Sequence, residues 1–150
     1  MSLKACFIDV THWHSPHYYP TLHQLVGVAA ISARNPETGR EVAASLGSRF
    51  YADWREMVQR ERPDFVFSLG RHCDMAETAR FLLEEGVPFA MEKPMGMNLS
   101  EVEELAALAK RKNAFVAVPF SIRLAPWVRK GKELEGPASD FSHATFRFMA

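Results

Sequence analysis

The residues best suited to chemistry are Glu92, Lys93 and Pro94, which follow the apolar run Phe89-Ala90-Met91. A lysine at the end of such a run, with a carboxylate before it and a proline after it, sits on a stiff backbone beside a charge partner. Desolvation in a cleft lowers a lysine's pKa and a neighbouring carboxylate raises it, so Lys93 is the expected acid–base group. A second group is Asp9-Val10-Thr11-His12-Trp13-His14-Ser15-Pro16-His17, which gathers a carboxylate, three imidazoles and an indole in one short stretch. His12 and His14 have the spacing of a His-x-His pair, with Asp9 and His17 close in sequence. Metal binding needs three or four convergent ligands with groups behind them, and spacing supplies only part of that set, so no metal ion is expected. Two further stretches, Ser32-Ala33-Arg34-Asn35 and Gly70-Arg71-His72-Cys73-Asp74, each place a cation after an apolar run. Arg71 suits an acidic group of a substrate or cofactor, and equally an exposed surface position.

Positioning these residues takes a scaffold whose loops converge, and the chain encodes one. Apolar runs at Ala5–Val10, Val26–Ser32, Phe65–Leu69, Pro88–Met91 and Phe115–Val118, with a shorter one at Arg49–Tyr51, alternate with helical patterns. Such alternation predicts a Rossmann-like, doubly wound parallel α/β sheet. The runs are apolar throughout rather than every second residue, as strands covered on both faces should be. Asn35 before Pro36 predicts a capped helix start, and Gly47 its end. Asp53 with Glu56, Asp74 with Glu77 and Ser100 with Glu103 have capping-box spacing, and Gly86 closes the fourth helix. In the fifth helix Val102, Leu105, Ala106 and Ala109 form a stripe suited to the sheet. In a doubly wound sheet ligands gather at the carboxyl ends of strands, where all four chemical stretches fall.

The pattern changes after Pro119. A short helix is predicted over Pro126–Leu134, a turn at Gly136-Pro137, and a half-buried strand where Ala144, Phe146 and Phe148 alternate with polar neighbours. The expected organisation is therefore a nucleotide-binding domain over 1–119, and a junction with the first strand of a truncated second, α+β domain over 120–150.

Composition narrows the function classes. The chain has 150 residues, 47% of them hydrophobic, with 18 Lys+Arg against 18 Asp+Glu. Zero net charge gives no sign of the basic footprint of a nucleic-acid binder. No apolar run approaches the roughly 18 residues of a membrane span. Asp9 interrupts the N-terminal apolar stretch, which argues against a signal peptide. Cys6 and Cys73 do not make a disulfide framework. A soluble, cytoplasmic protein without nucleic-acid or membrane partners is expected.

The chain resembles the glucose–fructose oxidoreductase and inositol dehydrogenase family, Gfo/Idh/MocA. The resemblance spans nearly the whole chain and rests on Arg34-Asn35-Pro36-Glu37, Met91-Glu92-Lys93-Pro94 and Phe120-Ser121-Ile122-Arg123, in that order and spacing. His72 and His17 also match histidines frequent in the family. The resemblance implies an NAD(P)-dependent dehydrogenase or reductase acting on a sugar, polyol or related small molecule, with Lys93 near the nicotinamide and the substrate. It implies that further catalytic residues and the usual homo-oligomer contact lie beyond Ala150, so residues 1–150 alone should be inactive. The expected cofactor contacts are Asp9, Thr11, His12, Trp13, His14, Ser32, Arg34, Leu69, His72, Glu92, Lys93 and Pro94. The expected substrate contacts are His14, Arg71 and Arg123.

The family's glycine-rich G-x-G-x-x-G turn is replaced, its glycines becoming Asp9, Thr11 and His14. Those glycines allow a tight turn and let backbone N–H groups approach the pyrophosphate. Asp9 adds a carboxylate there, a like-charge contact of roughly 1–4 kcal/mol at about 4 Å depending on the local dielectric. After the second strand, Ala33 replaces the acid that usually holds the ribose hydroxyls of NAD. With Arg34 following, the cofactor expected is NADP, with NAD the alternative. The altered loop also motivates a second reading, a non-catalytic nucleotide- or sugar-sensing relative. A third is a metal-dependent enzyme built on Asp9, His12 and His14.

Overall fold

The computed structural model describes residues 3–120 and 124–134. Six parallel strands form one sheet in the order β3-β2-β1-β4-β5-β6. They are β1 (Ala5–Ile8), β2 (Val28–Ser32), β3 (Arg49–Tyr51), β4 (Phe65–Ser68), β5 (Phe89–Met91) and β6 (Val116–Ala117). Between them run α1 (Ser15–Val26), α2 (Pro36–Leu46), α3 (Trp54–Glu61), α4 (His72–Glu84) and α5 (Leu99–Lys112). The strand order reverses between β1 and β4, and the loops leaving those two strands open a crevice at their carboxyl ends. The chain divides into two compact units, residues 1–119 and 120–150, and α6 (Pro126–Leu134) lies in the second.

Each face of the sheet is covered by its own layer. On one face Phe7, Ile31 and Ala43 pack with Tyr18, Tyr19 and Leu22 of α1 and with Val42 and Leu46 of α2. On the other, Met57 and Val58 of α3, Met75, Ala79, Leu82 and Leu83 of α4 and Leu105 of α5 enclose Ile8, Val66, Phe89 and Met91. Burying one such aliphatic side chain contributes about 1.5–3 kcal/mol. This two-sided burial is why the strands read as continuous apolar runs.

Several helix boundaries follow the sequence signals and two do not. Asn35 caps α2, its side chain accepting from Glu37 N–H at 3.0 Å and Thr38 N–H at 3.3 Å, and Gly47 ends that helix at φ +62°. Asp53 caps α3 by accepting from Arg55 N–H at 2.8 Å. Asp74, however, lies within the first turn of α4, because its carboxylate is taken by Arg71, and Glu77 pairs with Arg55 instead. The start of α5 is two residues earlier than expected. Asn98, not Ser100, is the cap, accepting from Glu101 N–H at 3.0 Å, while Glu101 accepts Met97 N–H at 2.7 Å. Of the α5 stripe only Leu105 is fully buried, and Ala106 is exposed. β1 stops at Ile8 rather than Val10 because Asp9 turns the chain at φ +58°. Val26, expected to open β2, is instead the last residue of α1. The strand expected near 144–148 lies outside the described residues.

Glu61, at the end of α3, ties the sheet edge to the N-terminal segment. Its buried carboxylate accepts from Tyr51 Oη at 2.6 Å, from Arg49, and pairs with Lys4 Nζ at 3.0 Å. Burial works against its charge, but the Tyr51, Arg49 and Lys4 hydrogen bonds prevail and bring its pKa from the ordinary 4.5 down to about 2. A depressed carboxylate stabilises the fold fully above its unfolded pKa and loses that contribution as pH falls through the folded one. Arg49 and Lys4 are partly solvated, so we expect Glu61→Gln to cost about 2 kcal/mol in urea unfolding at pH 7. The gap from the parent chain should shrink between pH 4.5 and about 2, and a pH-independent gap would contradict this. The same carboxylate acts on Cys6, which burial and then Glu61 push up to about 12, leaving an inert thiol.

Candidate functional site

The loops at the carboxyl ends of β1, β2, β4 and β5 bring most of the expected residues together. Asp9 is buried and adopts the left-handed conformation that the first glycine of a dinucleotide turn serves. Aspartate tolerates that region better than most residues, so the turn is kept without a glycine. Its carboxylate does not stand bare. Oδ2 accepts from Arg34 Nε at 2.7 Å, and Oδ1 accepts from Thr11 N–H at 3.3 Å and from the Thr11 hydroxyl. The buried Ser32 hydroxyl accepts the backbone N–H of Asp9 at 3.4 Å. Ile8, Asp9, Ser32, Ala33 and Arg34 then line one small cavity with Trp54, Gly70 and Asp74.

A second focus joins the first loop to the end of β5, seventy-eight residues apart in the chain. His14 Nδ1 lies 2.8 Å from Glu92 Oε2, and Glu92 is only 2% exposed. Lys93 donates its backbone N–H to Glu92 Oε1 at 3.1 Å, and its Nζ stands 3.6 Å from the same oxygen. Burial opposes the charge on Glu92, but the His14 contact and the Lys93 N–H hold it below the usual carboxylate range. Lys93 thus lies beside the His14 loop with its side chain 45% exposed, and the peptide to Pro94 is cis. His12 and His14 tilt together with ring centroids 5.1 Å apart, and His14 N–H donates to His12 Nδ1 at 3.2 Å. Burial and then the charge of His14 lower the pKa of His12. Trp13 is 72% exposed, with its ring centroid 3.6 Å from that of His14.

Other expected residues are less engaged. His72 opens α4 as an exposed residue. Arg71 is bound to Asp74 through Nε at 2.7 Å and Nη2 at 3.2 Å, so it serves the start of α4 in this arrangement. Arg123 lies outside the described residues.

One residue, Ser68, carries no signal of its role along the sequence. Ser68, the last residue of β4, lines an apolar cavity with Tyr18, Phe67, Leu69, Met91, Glu92 and Pro119. Its buried Oγ has no partner among the described residues, and neither does that of Ser15 at the first position of α1. The sequence shows only a lone serine at the end of Phe65-Val66-Phe67.

A dinucleotide at this crevice would meet a mixed set of groups. The N–H groups of Thr11 and His14 are turned inward to Asp9 and His12, so the loop offers less than a glycine turn does. At the start of α1 the Ser15 and His17 N–H groups are bonded to the His12 and His14 carbonyls and Pro16 has none, so that terminus keeps its dipole and the unpartnered Ser15 Oγ for an anion. The Asp9 charge is offset by Arg34, and small cavities flank the β1/β4 crevice, where the two ends of such a molecule would approach. The residues fit the group.

Fold and crevice together define a Rossmann-type nucleotide-binding unit. The chain belongs to the Gfo/Idh/MocA oxidoreductase family, with its NAD-binding Rossmann fold, whose model matches residues 10–120. Among curated relatives, the trans-1,2-dihydrobenzene-1,2-diol dehydrogenase of Xenopus tropicalis is 29% identical over 105 residues, covering 69% of this chain and 31% of that protein. The chain spans about a third of the length of the curated relatives it matches. Of solved structures, myo-inositol 2-dehydrogenase from Lactobacillus plantarum superposes with a TM-score of 0.81 at 22% identity, covering 95% of this chain and 43% of that one. An oxidoreductase from Agrobacterium radiobacter, in complex with NAD+, L-tartaric acid and magnesium, gives 0.80 at 19% identity, covering 89% and 40%. These likenesses to solved structures bear on the fold. No helix among the described residues is long and apolar enough to cross a membrane.

Proposed function

We propose that this chain is the cofactor-binding part of an NADP(H)-dependent dehydrogenase acting on a small hydroxylated substrate, a cyclic diol, sugar or polyol. The observation that carries the reading is the assembly of Lys93, Glu92 and His14 at the same strand-end crevice as Asp9 and Arg34. When bound, the nicotinamide supplies the hydride acceptor or donor. The chain's own residues do the rest. The start of α1 faces the pyrophosphate, and Ser32 and Arg34 border the adenosine ribose. Asp9 occupies only Nε of Arg34 among the described contacts, so the guanidinium keeps further donors for a 2′-phosphate. Ser68 and Leu69 wall the cavity on the nicotinamide side.

Lys93 holds or releases a proton at Nζ, next to the substrate hydroxyl. Glu92, buried and ionised, keeps that ammonium in place and is itself fixed by His14. Thr11, His12, Trp13, His72 and Pro94 are assigned to the cofactor, and Arg71 and Arg123 to the substrate side. The relatives named as dehydrogenases are more than twice as long, so substrate-side groups and homo-oligomer contacts are assigned to chain beyond Ala150, and residues 1–150 alone are read as inactive. Titration with NADPH tests the reading: saturable binding at this crevice supports it, and a folded chain that binds neither NADPH nor NADH would overturn it.

A further inference from the structure

The donor set at the loop between β1 and α1 has a second chemical use. His12, His14 and Glu92 each present a ligand atom, and all three atoms lie within 4.8 Å of one another. Two imidazoles and one carboxylate are the protein ligands of open zinc sites, in which a fourth position is left to water or a ligand oxygen. Mixed nitrogen and oxygen donors select a transition metal over magnesium or calcium, which prefer oxygen alone. The geometry points to a zinc-class metal site formed by His12, His14 and Glu92.

The set differs from the one that spacing alone suggests, because Asp9 is drawn away to Arg34 and Glu92 arrives from the far end of the sheet. The surroundings are those of a supported site. Glu92 is 2% exposed and its Oε1 is steadied by the Lys93 N–H at 3.1 Å. The ring of His12 is oriented by the His14 backbone N–H on Nδ1, which leaves Nε2 as the nitrogen available to a metal. Zinc bonds of about 2.0–2.2 Å put tetrahedral donors roughly 3.3 Å apart, so the His14–Glu92 pair, now 2.8 Å apart, opens slightly while His12 moves in by at most about 1.5 Å. The two histidines are half-buried, and side-chain rotation supplies that movement. His14 and Glu92 form a hydrogen-bonded pair, with the His12 ring tilted against that of His14.

Zinc affinity is read without a dinucleotide, so its outcome is separate from that of the NADPH titration. Metal-free chain titrated calorimetrically with zinc chloride should bind one ion, in the micromolar range or tighter. His12→Ala, His14→Ala and Glu92→Gln should each weaken binding by about tenfold or more, a loss typical even of groups supporting a ligand. His23→Ala, at the far end of α1, should leave it unchanged. Histidine-ring NMR of the parent chain gives a second reading free of folding effects: of its six histidines, zinc should shift chiefly His12 and His14. Absence of saturable binding, or binding that survives all three substitutions, would overturn the site and leave His14–Glu92 as a clasp between two loops.

Discussion

Lys93→Ala is expected to lower turnover by about 10²-fold or more in any form of the protein that oxidises a diol or polyol, the usual scale for a lost acid–base group. The expectation rests on placement. Lys93 follows β5 directly, its Nζ is 3.6 Å from a buried carboxylate, and that carboxylate is locked to the first loop through His14. Although its side chain is 45% exposed, Lys93 is tied into that chain of contacts. A trans-dihydrodiol and simple polyols are suitable probes, with reduction of NADP+ followed at the nicotinamide band. The dissociation constant for NADPH should change far less than turnover, because the ammonium acts on the substrate hydroxyl rather than on the dinucleotide phosphates. Retained turnover would remove Lys93 from the chemistry. Equal losses in turnover and in NADPH binding would recast it as a binding residue.

Asp9→Gly should tighten NADPH binding by about 10- to 10²-fold and NADH binding by less. Three effects of the change point the same way. Glycine takes the left-handed conformation at φ +58° without the penalty borne by a side chain. Removing the carboxylate releases Thr11 N–H, now 3.3 Å from Oδ1, toward an incoming phosphate. It also frees Arg34, now 2.7 Å from Oδ2, for the 2′-phosphate that NADH lacks. Since Arg34 already offsets the charge of Asp9, the gain should stay below the roughly 4 kcal/mol that a bare like-charge contact could reach. Weaker binding of both dinucleotides would show instead that the Asp9–Arg34 pair is part of the ribose wall.

The fold was legible because local signals and global pattern agree. Asn35-Pro36, Gly47 and Asp53 act through neighbours two or three residues away, and the structure uses each as read. Signals of the same kind failed where a nearby group competed. Asp74 has the right spacing for a cap, but Arg71 captures its carboxylate, and Asn98 caps α5 ahead of Ser100. The strand ends that hold the candidate site were also legible, because parallel α/β sheets present their loops on one edge.

The wiring of that site was not. Asp9 meets Arg34 across 25 residues and His14 meets Glu92 across 78, and nothing in spacing along the chain reports such a contact. The carboxylate expected to repel a phosphate therefore turned out to be paired, and Glu92, expected beside Lys93 alone, proved to be shared with an imidazole. Ser68 was hidden for a related reason, since a serine ending an apolar strand looks like a turn residue until the cavity beside it is seen.

Binding of a dinucleotide at the crevice is the central claim, and calorimetric titration of the chain with NADPH and, separately, NADH tests it most directly. Saturable binding of one NADPH per chain, tighter than NADH and weakened by Arg34→Ala, is the predicted result. NADH binding as tightly as NADPH or more so would refute the role given to Arg34, and a folded chain that binds neither would contradict the account as a whole.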